Sequence, residues 1–370
     1  MTRIVFMKGV SKLARQLHNE AVALARSGRS REACDKLRGA IKASGEAKVD
    51  PRTLKALWQI ARADGDWTTA LAAGISASIR DPLDFPFVDR VVRSLDECPL
   101  SALGESPYAP KQMPELAPTL SVVIVSRDDR RYAAADAQYE KAFAGWPHER
   151  IRINDALSMY DGYARGFAQT SGELVIFSHD DIRFAVPDFA ARLVESMSEA
   201  DVVGVAGTTK VSGPAMLWSG HPHLHGAITH KAPADTSYEL ALSSLQGPRI
   251  RQAQGLDGVF IAARREWIDG VGFDTARIPG FHFYDLDFSY RASLAGARLT
   301  IACDLALIHQ SRGNVDAGWN AAQAAFAAKF PTLNSDAGKH RHWYHVSLPD
   351  EDAVALHYAK LFTAWKLRLE

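Results

Sequence analysis

Two spacings of apolar residues divide this chain. Between residues 11 and 80 they recur every three to four positions, the interval that puts side chains on one face of a helix. Leu17, Ala21, Leu24 and Ala25 mark such a face over 16–27, and Gly28 ends it. A second helix begins at Glu32-Ala33 and carries Leu37 and Ile41. Leu57, Ile60 and Ala61 then precede Gly65-Asp66, and Ala70, Leu71, Ile75 and Ile79 follow, up to Asp81-Pro82. Beyond residue 118 the pattern changes to short continuous apolar runs, which fit strands covered on both faces of a parallel sheet. LSVVIVS (120–126), IRI (151–153), ELVIFS (173–178), DVVGVAG (201–207), LDGVFIAA (256–263) and residues 298–303 are the predicted strands. Helices over 130–144, 159–169, 187–199 and 284–295 alternate with them, so the predicted class is α/β. From 316 the pattern is helical again: Trp319, Phe326 and Phe330 share one face, as do Val354, Tyr358, Leu361, Phe362, Trp365 and Leu369. Pro99, Pro107, Pro110, Pro114 and Pro118 mark a linker over 98–118, because proline blocks helix continuation. The expected division is a helical domain with linker at 1–115, an α/β domain at 116–315 and a C-terminal helical extension at 316–370.

The pairs Gly28/Gly65 and Ala33/Ala70 are each offset by 37 residues. Helical hairpins with small residues at the helix contact and glycine at the turn resemble the tetratricopeptide repeat, whose period is about 34 residues. The extra residues would fall near 46–51. An ordinary helical bundle with a coincidental offset accounts for the same spacing.

Composition narrows the function. The 370 residues carry 43 Lys+Arg against 43 Asp+Glu, a formal net charge of zero, which argues against a nucleic-acid partner. With 47% hydrophobic and 23% charged residues, the chain is neither disordered nor collagen-like. Cys34, Cys98 and Cys303 are scattered, which disfavours a disulfide scaffold and fits a reducing cytoplasm. The first residues hold a short apolar patch broken by Lys8, too short for a secretion signal. No run reaches the roughly 18–20 apolar residues a membrane span needs. The expected location is cytoplasmic, free or peripheral to the inner face of the membrane.

Ligands of open α/β sheets sit beyond the carboxyl ends of the strands. Here those ends carry Ser126-Arg127-Asp128-Asp129, His179-Asp180-Asp181 and, after Asp304, His309; the helix at 284–295 opens with Asp285-Leu286-Asp287. Carboxylates, an imidazole and an arginine on one edge suit a hard divalent cation such as Mg²⁺ or Mn²⁺ with a phosphate-bearing substrate. Each piece also has a plain structural reading. Asp180-Asp181 would serve as a helix cap and turn, Asp285 and Asp287 would complement a helix dipole, and His309 would be a hydrogen-bonded interior histidine. In WSGHPHLHG (218–226), His221, His223 and His225 alternate as on a metal-binding strand face, but Pro222 and two glycines favour a loop. Trp218 in that loop suits either stacking on a sugar ring or packing.

Taken in order, these residues resemble a GT-A-fold glycosyltransferase, close to the family 2 group of inverting enzymes, over roughly 119–315. LSVVIVS resembles the first nucleotide-binding strand. ELVIFSHDDI (173–182) resembles the strand leading into the DxD motif, in an HDD form. FYDLDFSYRASLAG (283–296) resembles the acidic segment with the catalytic base, and LALIHQSRG (305–313) the segment with the metal-contacting histidine. LDGVFIAARRE (256–266) fits the acceptor-side strand, where Asp257 is a donor-binding candidate. The resemblance implies a GT-A nucleotide-sugar-binding sheet. Asp180, Asp181 and His309 would hold Mn²⁺ or Mg²⁺, and Asp180, Ser126, Arg127, Asp128 and Arg165 would face the nucleotide sugar. The general base would be Asp285 or Asp287; the glutamate usual before the base position is Tyr284 here.

The implied reaction is single-displacement transfer from a nucleotide-sugar donor to a hydroxyl of a glycan or protein acceptor, with the N-terminal repeats helping to read the acceptor. Two other classes compete. Nucleotidyl transfer uses the same sheet edge but wants a glycine-rich loop after the first strand, and SRDDRR lacks glycine. A non-catalytic repeat scaffold with a degenerate transferase domain would not need all four polar elements. The chain has no phosphate-loop, nucleophile-elbow or dinucleotide fingerprint.

Overall fold

The computed structural model describes residues 10–45, 48–103, 117–215, 219–232, 236–313, 315–333, 342–367 and 369. Most of the proline-rich linker and Trp218 lie outside the described residues. The chain forms two compact units, Met1–Tyr108 with Ala359–Glu370, and Ala109–Tyr358.

The first unit is helical: α1 (Lys12–Arg26), α2 (Ser30–Ser44), α3 (Pro51–Ala63), α4 (Trp67–Arg80) and α5 (Phe85–Glu97). Its starts follow from capping chemistry. The side chains of Ser11, Asp50, Asp66 and Asp84 each accept an otherwise unpaired first-turn amide. Gly28 and Gly65 take the turns at φ 80° and 78°, a region that glycine enters at no steric cost. Ala33, Leu37, Leu57, Ala61, Ala70 and Leu71 are fully buried, as their spacing predicts.

The second unit opens with β1 (Leu120–Val125), α6 (Asp129–Ala142), β2 (His148–Ile153), α7 (Met159–Phe167), β3 (Leu174–Ser178) and β4 (Ile182–Phe184). There follow α8 (Phe189–Glu199), β5 (Val202–Gly204), β6 (Ala206–Thr208), β7 (Leu224–Lys231), β8 (Tyr238–Leu242), β9 (Arg249–Ala253), β10 (Gly255–Leu256) and β11 (Phe260–Arg264). The remainder is α9 (Arg265–Val271), α10 (Tyr284–Leu294), β12 (Leu299–Ala302), β13 (Leu307–His309), α11 (Ala317–Lys329), β14 (Tyr344–Leu348) and α12 (Glu351–Lys366). The first sheet has the order β2-β1-β3-β11-β5-β12-β9; the second runs β10-β6-β7-β13-β4, with β8 on β7 and β14 on β8. β1 pairs in parallel with β2 and β3, whereas β11 enters antiparallel between β3 and β5. The fold is thus mixed α/β with a helical N-terminal region.

The apolar runs of β1 and β3 form the middle of the first sheet, and nearly every side chain there is buried. Each fully buried Val, Leu or Ile stabilises the fold by about 1.5–3 kcal/mol. Helix α7 tolerates Gly162 and Gly166 because it lies against that strand. A Cβ at Gly162 would meet Val125 at 2.5 Å, and one at Gly166 would meet Val123 at 2.2 Å.

Three stretches depart from the sequence expectation. The single strand expected over 201–207 is two, β5 in the first sheet and β6 in the second, with Val205 between them. The segment read as a loop becomes strand β7 from Leu224 on. Residues from 316 are not all helical: β14 pairs antiparallel with β8, Tyr344 opposite Leu242. Residues up to Tyr358 belong to the second unit. Part of the reason is α11, whose Lys329 is ion-paired to Asp274 and Asp287, while Trp319 and Phe326 pack on Phe283.

Candidate active site

The register of the sheets brings distant residues together. Phe260 of β11 sits opposite Ser178 of β3, so Asp257-Gly258-Val259, just ahead of β11, runs beside His179, just past β3. The His179 amide accordingly donates to the Val259 carbonyl at 3.2 Å. In the second sheet His309, the last residue of β13, sits opposite Ile182 of β4, next to Asp181. The Gln310 amide donates to the Asp181 carbonyl at 2.9 Å, and the Ser311 amide to its carboxylate at 3.1 Å.

His179, Asp181 and His309 therefore converge. His309 Nε2 lies 3.2 Å from Asp181 Oδ1 and 3.3 Å from His179 Nδ1. One donor atom from each of the three falls within 4.8 Å of the others. Burial opposes ionisation of Asp181, but hydrogen bonds from His309 and Ser311 and the nearby His179 outweigh it and hold the carboxyl well below its ordinary range. Burial, then His309, lowers the His179 imidazole below its ordinary value. The ring of His230 adds a further imidazole 5.6 Å from that of His309.

Asp180, expected in the metal shell, is not in this group. Its carboxylate accepts from the Ser126 hydroxyl at 2.7 Å and lies 4.0 Å from Arg131. Residues two apart in extended chain point to one side, which explains the division: His179 and Asp181 meet His309, and Asp180 turns to the end of β1.

Helix α10 brings the second part of the site. Asp285 in its first turn is partly exposed, and its carboxylate accepts the Gly258 amide hydrogen at 2.8 Å. Crowding by protein atoms, then the charge of Asp257, pushes its carboxyl up to about 7. Asp257 accepts the Val259 amide at 3.0 Å. Tyr284 is buried; its hydroxyl donates to the Gly258 carbonyl at 3.1 Å and meets His179 Nε2 at 2.8 Å. Burial raises this phenol well above its ordinary value.

Asp287 occupies a different environment. It is fully buried and accepts from Tyr160 Oη at 2.6 Å and Arg291 Nε at 2.9 Å, with Lys329 Nζ at 2.7 Å. Its side chain is closed to solvent, whereas that of Asp285 is partly exposed. Three other candidates have partners within the chain. Asp128 caps α6, accepting the Arg130 and Arg131 amides at 2.8 and 3.0 Å. Arg165 pairs with Asp155 at 2.5 Å and Asp161 at 3.2 Å. Arg127 donates to the Ala156 carbonyl and lies over the Phe281 ring. The three histidines of 221–225 do not form one metal face. His221 binds the His342 carbonyl, His223 meets Thr209, and His225 meets Ser244; burial foremost pushes His225 down to about 4.

Two residues at this edge, His179 and Tyr284, had no role assigned from the sequence. The spacing of His179 to Asp181 was the available signal for the first. The signal for the second was its place where the resembling family has glutamate.

No curated protein matches this chain in sequence. Among solved structures, the mannosyltransferase from Pyrobaculum calidifontis in complex with GDP-mannose and Mn²⁺ is similar at 11% identity, over 81% of this chain and 84% of that one, with a TM-score of 0.38. GalNAc-T7 with UDP, GalNAc and Mn²⁺ is similar at 16% identity, over 55% of this chain and 44% of that one, with a TM-score of 0.34. The sequence profile of the glycosyltransferase-like family matches residues 121–330, more than half of the chain and every residue of the site just described. The chain belongs to the glycosyltransferase-like family.

Proposed function

We propose that this chain is a metal-dependent inverting glycosyltransferase, moving a sugar from a nucleotide-sugar donor to a hydroxyl of a glycan or protein. The observation that carries this reading is the convergence of His179, Asp181 and His309 within 4.8 Å, on the sheet edge where the Asp285 carboxyl is pushed up to about 7. The donor spacings of 3.2 and 3.3 Å suit a cation whose ligand atoms, at about 2.1 Å from the metal, sit about 3 Å apart. Two imidazoles with one carboxylate favour Mn²⁺ over the harder Mg²⁺. When bound, the cation offsets negative charge growing on the leaving diphosphate.

This chain's residues do the rest. Ser126 and Arg127, at the end of β1, donate to the nucleotide diphosphate, Asp180, just past β3, accepts from hydroxyls of the nucleotide sugar, and Asp257 faces the donor sugar. Asp285 removes the proton of the acceptor hydroxyl, whose oxygen forms the new bond to the anomeric carbon. The bond to the diphosphate breaks on the opposite face, and its electron pair leaves with the diphosphate. A base with a carboxyl value near the working pH is matched to this task. The turns at Gly28 and Gly65, 37 residues apart, support the tetratricopeptide-like reading of the N-terminal helices, to which we assign acceptor recognition.

Thermal-shift screening of UDP-, GDP- and dTDP-sugars with Mn²⁺ tests the donor reading. A ligand at 100 times its Kd adds about 2.7 kcal/mol of apparent stability. One donor class should stand out, and a flat response across the panel would count against the proposal.

A further inference from the structure

Tyr284 occupies the position where the resembling family places an acidic residue, so its contacts call for a role of their own. Its Oη lies 3.1 Å from the Gly258 carbonyl oxygen and 2.8 Å from His179 Nε2. A carbonyl oxygen only accepts, and a phenol has one proton. Both contacts are hydrogen bonds at once only when the Tyr284 proton goes to Gly258 and the Tyr284 oxygen accepts the Nε2–H of His179. In that arrangement the His179 proton is on Nε2, and Nδ1 carries a lone pair. Nδ1 is the atom that stands 3.3 Å from His309 Nε2, on the side where Asp181 also points.

We propose that Tyr284 is a positioning residue for the cation: its hydroxyl holds His179 as a neutral imidazole with Nδ1 turned to the metal, completing a two-histidine, one-carboxylate ligand set. This rests on the reading of His179, Asp181 and His309 as the cation ligands. The opposite tautomer would present a hydrogen to the cation and could not bind it. Metal-bound histidines commonly donate their second N–H to a fixed partner, and loss of that partner costs about 10–100-fold in metal affinity. One residue anchors both side chains. Gly258 holds Tyr284 through its carbonyl and Asp285 through its amide, so the metal ligand and the proposed base are aligned on one residue.

The test uses Co²⁺ and Mn²⁺ alone on the full chain, without nucleotide. Wild type should bind Co²⁺ with a visible absorption band. Tyr284→Phe, which removes only the hydroxyl, should bind about 10–100-fold more weakly with a shifted band. Asp181→Ala should lose binding outright. If Tyr284→Phe matches wild type in affinity and band while Asp181→Ala loses binding, the ligand set stands and the role of Tyr284 is overturned. If wild type binds no metal, the ligand reading itself falls, and the role of Tyr284 with it. Should Tyr284→Phe fail to fold, ¹⁵N-histidine NMR of wild type decides, with His179→Gln supplying the assignment. The Nε2–H pattern at His179 supports the proposal, and the Nδ1–H pattern overturns it.

Discussion

The Asp285 carboxylate accepts the backbone amide of Gly258 at 2.8 Å, and this contact leaves no room for a side chain at residue 258. A Cβ there would come within 2.2 Å of Tyr284 Oη and 2.8 Å of Asp285 Cβ. Gly258→Ala should therefore displace Tyr284 or Asp285 from their contacts with residue 258. Misplacement of a reacting group by about 1 Å can cost on the order of 10²-fold. A loss of that size in kcat, measured beside the melting temperature, is the expected result. A variant as active as wild type would show that the alignment of Asp285 does not matter.

Asp285→Asn keeps the shape of the residue and removes its basicity. Turnover should fall by about 10²–10⁴-fold, the usual contribution of a general base, while calorimetry finds cation and donor binding unchanged. Near-normal turnover would remove Asp285 from the mechanism.

The raised Asp285 carboxyl also fixes a pH dependence. Asp257, Tyr163 and Tyr284 are the titratable groups facing it. The active form is ionised, so kcat/KM should rise with pH to a plateau, with its midpoint at about 7. Asp257→Asn should move that midpoint down by removing a like charge. The same shift affects stability. A carboxyl raised in the folded state favours folding at low pH, and that contribution is lost as pH rises through the folded value. Asp285→Asn should thus melt above wild type at pH 8, with the gap narrowing toward pH 4. A gap independent of pH would contradict the shift.

Asp287 should behave in the opposite way. Its removal takes a fully buried carboxylate from Lys329 and Arg291, leaving Lys329 with Asp274 and Arg291 with the Val271 and Gly272 carbonyls. Breaking one partner of a buried ion pair costs about 3–5 kcal/mol. Asp287→Ala should therefore lower the denaturation midpoint strongly, whereas Asp285→Asn should not lower it at all at neutral pH. Equal stability losses would erase the distinction between the two aspartates.

How far the sequence revealed this site depended on local pattern. LSVVIVS and ELVIFS are apolar throughout because both faces of β1 and β3 are covered, and that pattern needs no tertiary information. Strands β9 (RIRQA) and β14 (YHVSL) are short, polar and set by pairing with β12 and β8, so their identity lies in the partner strand. The acidic edge was visible as a set of aspartates, but their division of labour was not. Asp285 and Asp287 differ in what surrounds them: Gly258 on one side, Tyr160, Arg291 and Lys329 on the other. Lys329 comes from α11, a stretch the sequence pattern set apart from the α/β domain.

The central claim is that His179, Asp181 and His309 hold a cation that supports sugar transfer from a nucleotide sugar. The measurement that meets it most directly is release of nucleoside diphosphate from a panel of nucleotide sugars with Mn²⁺, comparing wild type with Asp181→Ala. Free nucleoside diphosphate from at least one donor is expected, abolished by a chelator and by Asp181→Ala. Release of pyrophosphate instead, equal release by the variant, or no release from any donor would contradict it.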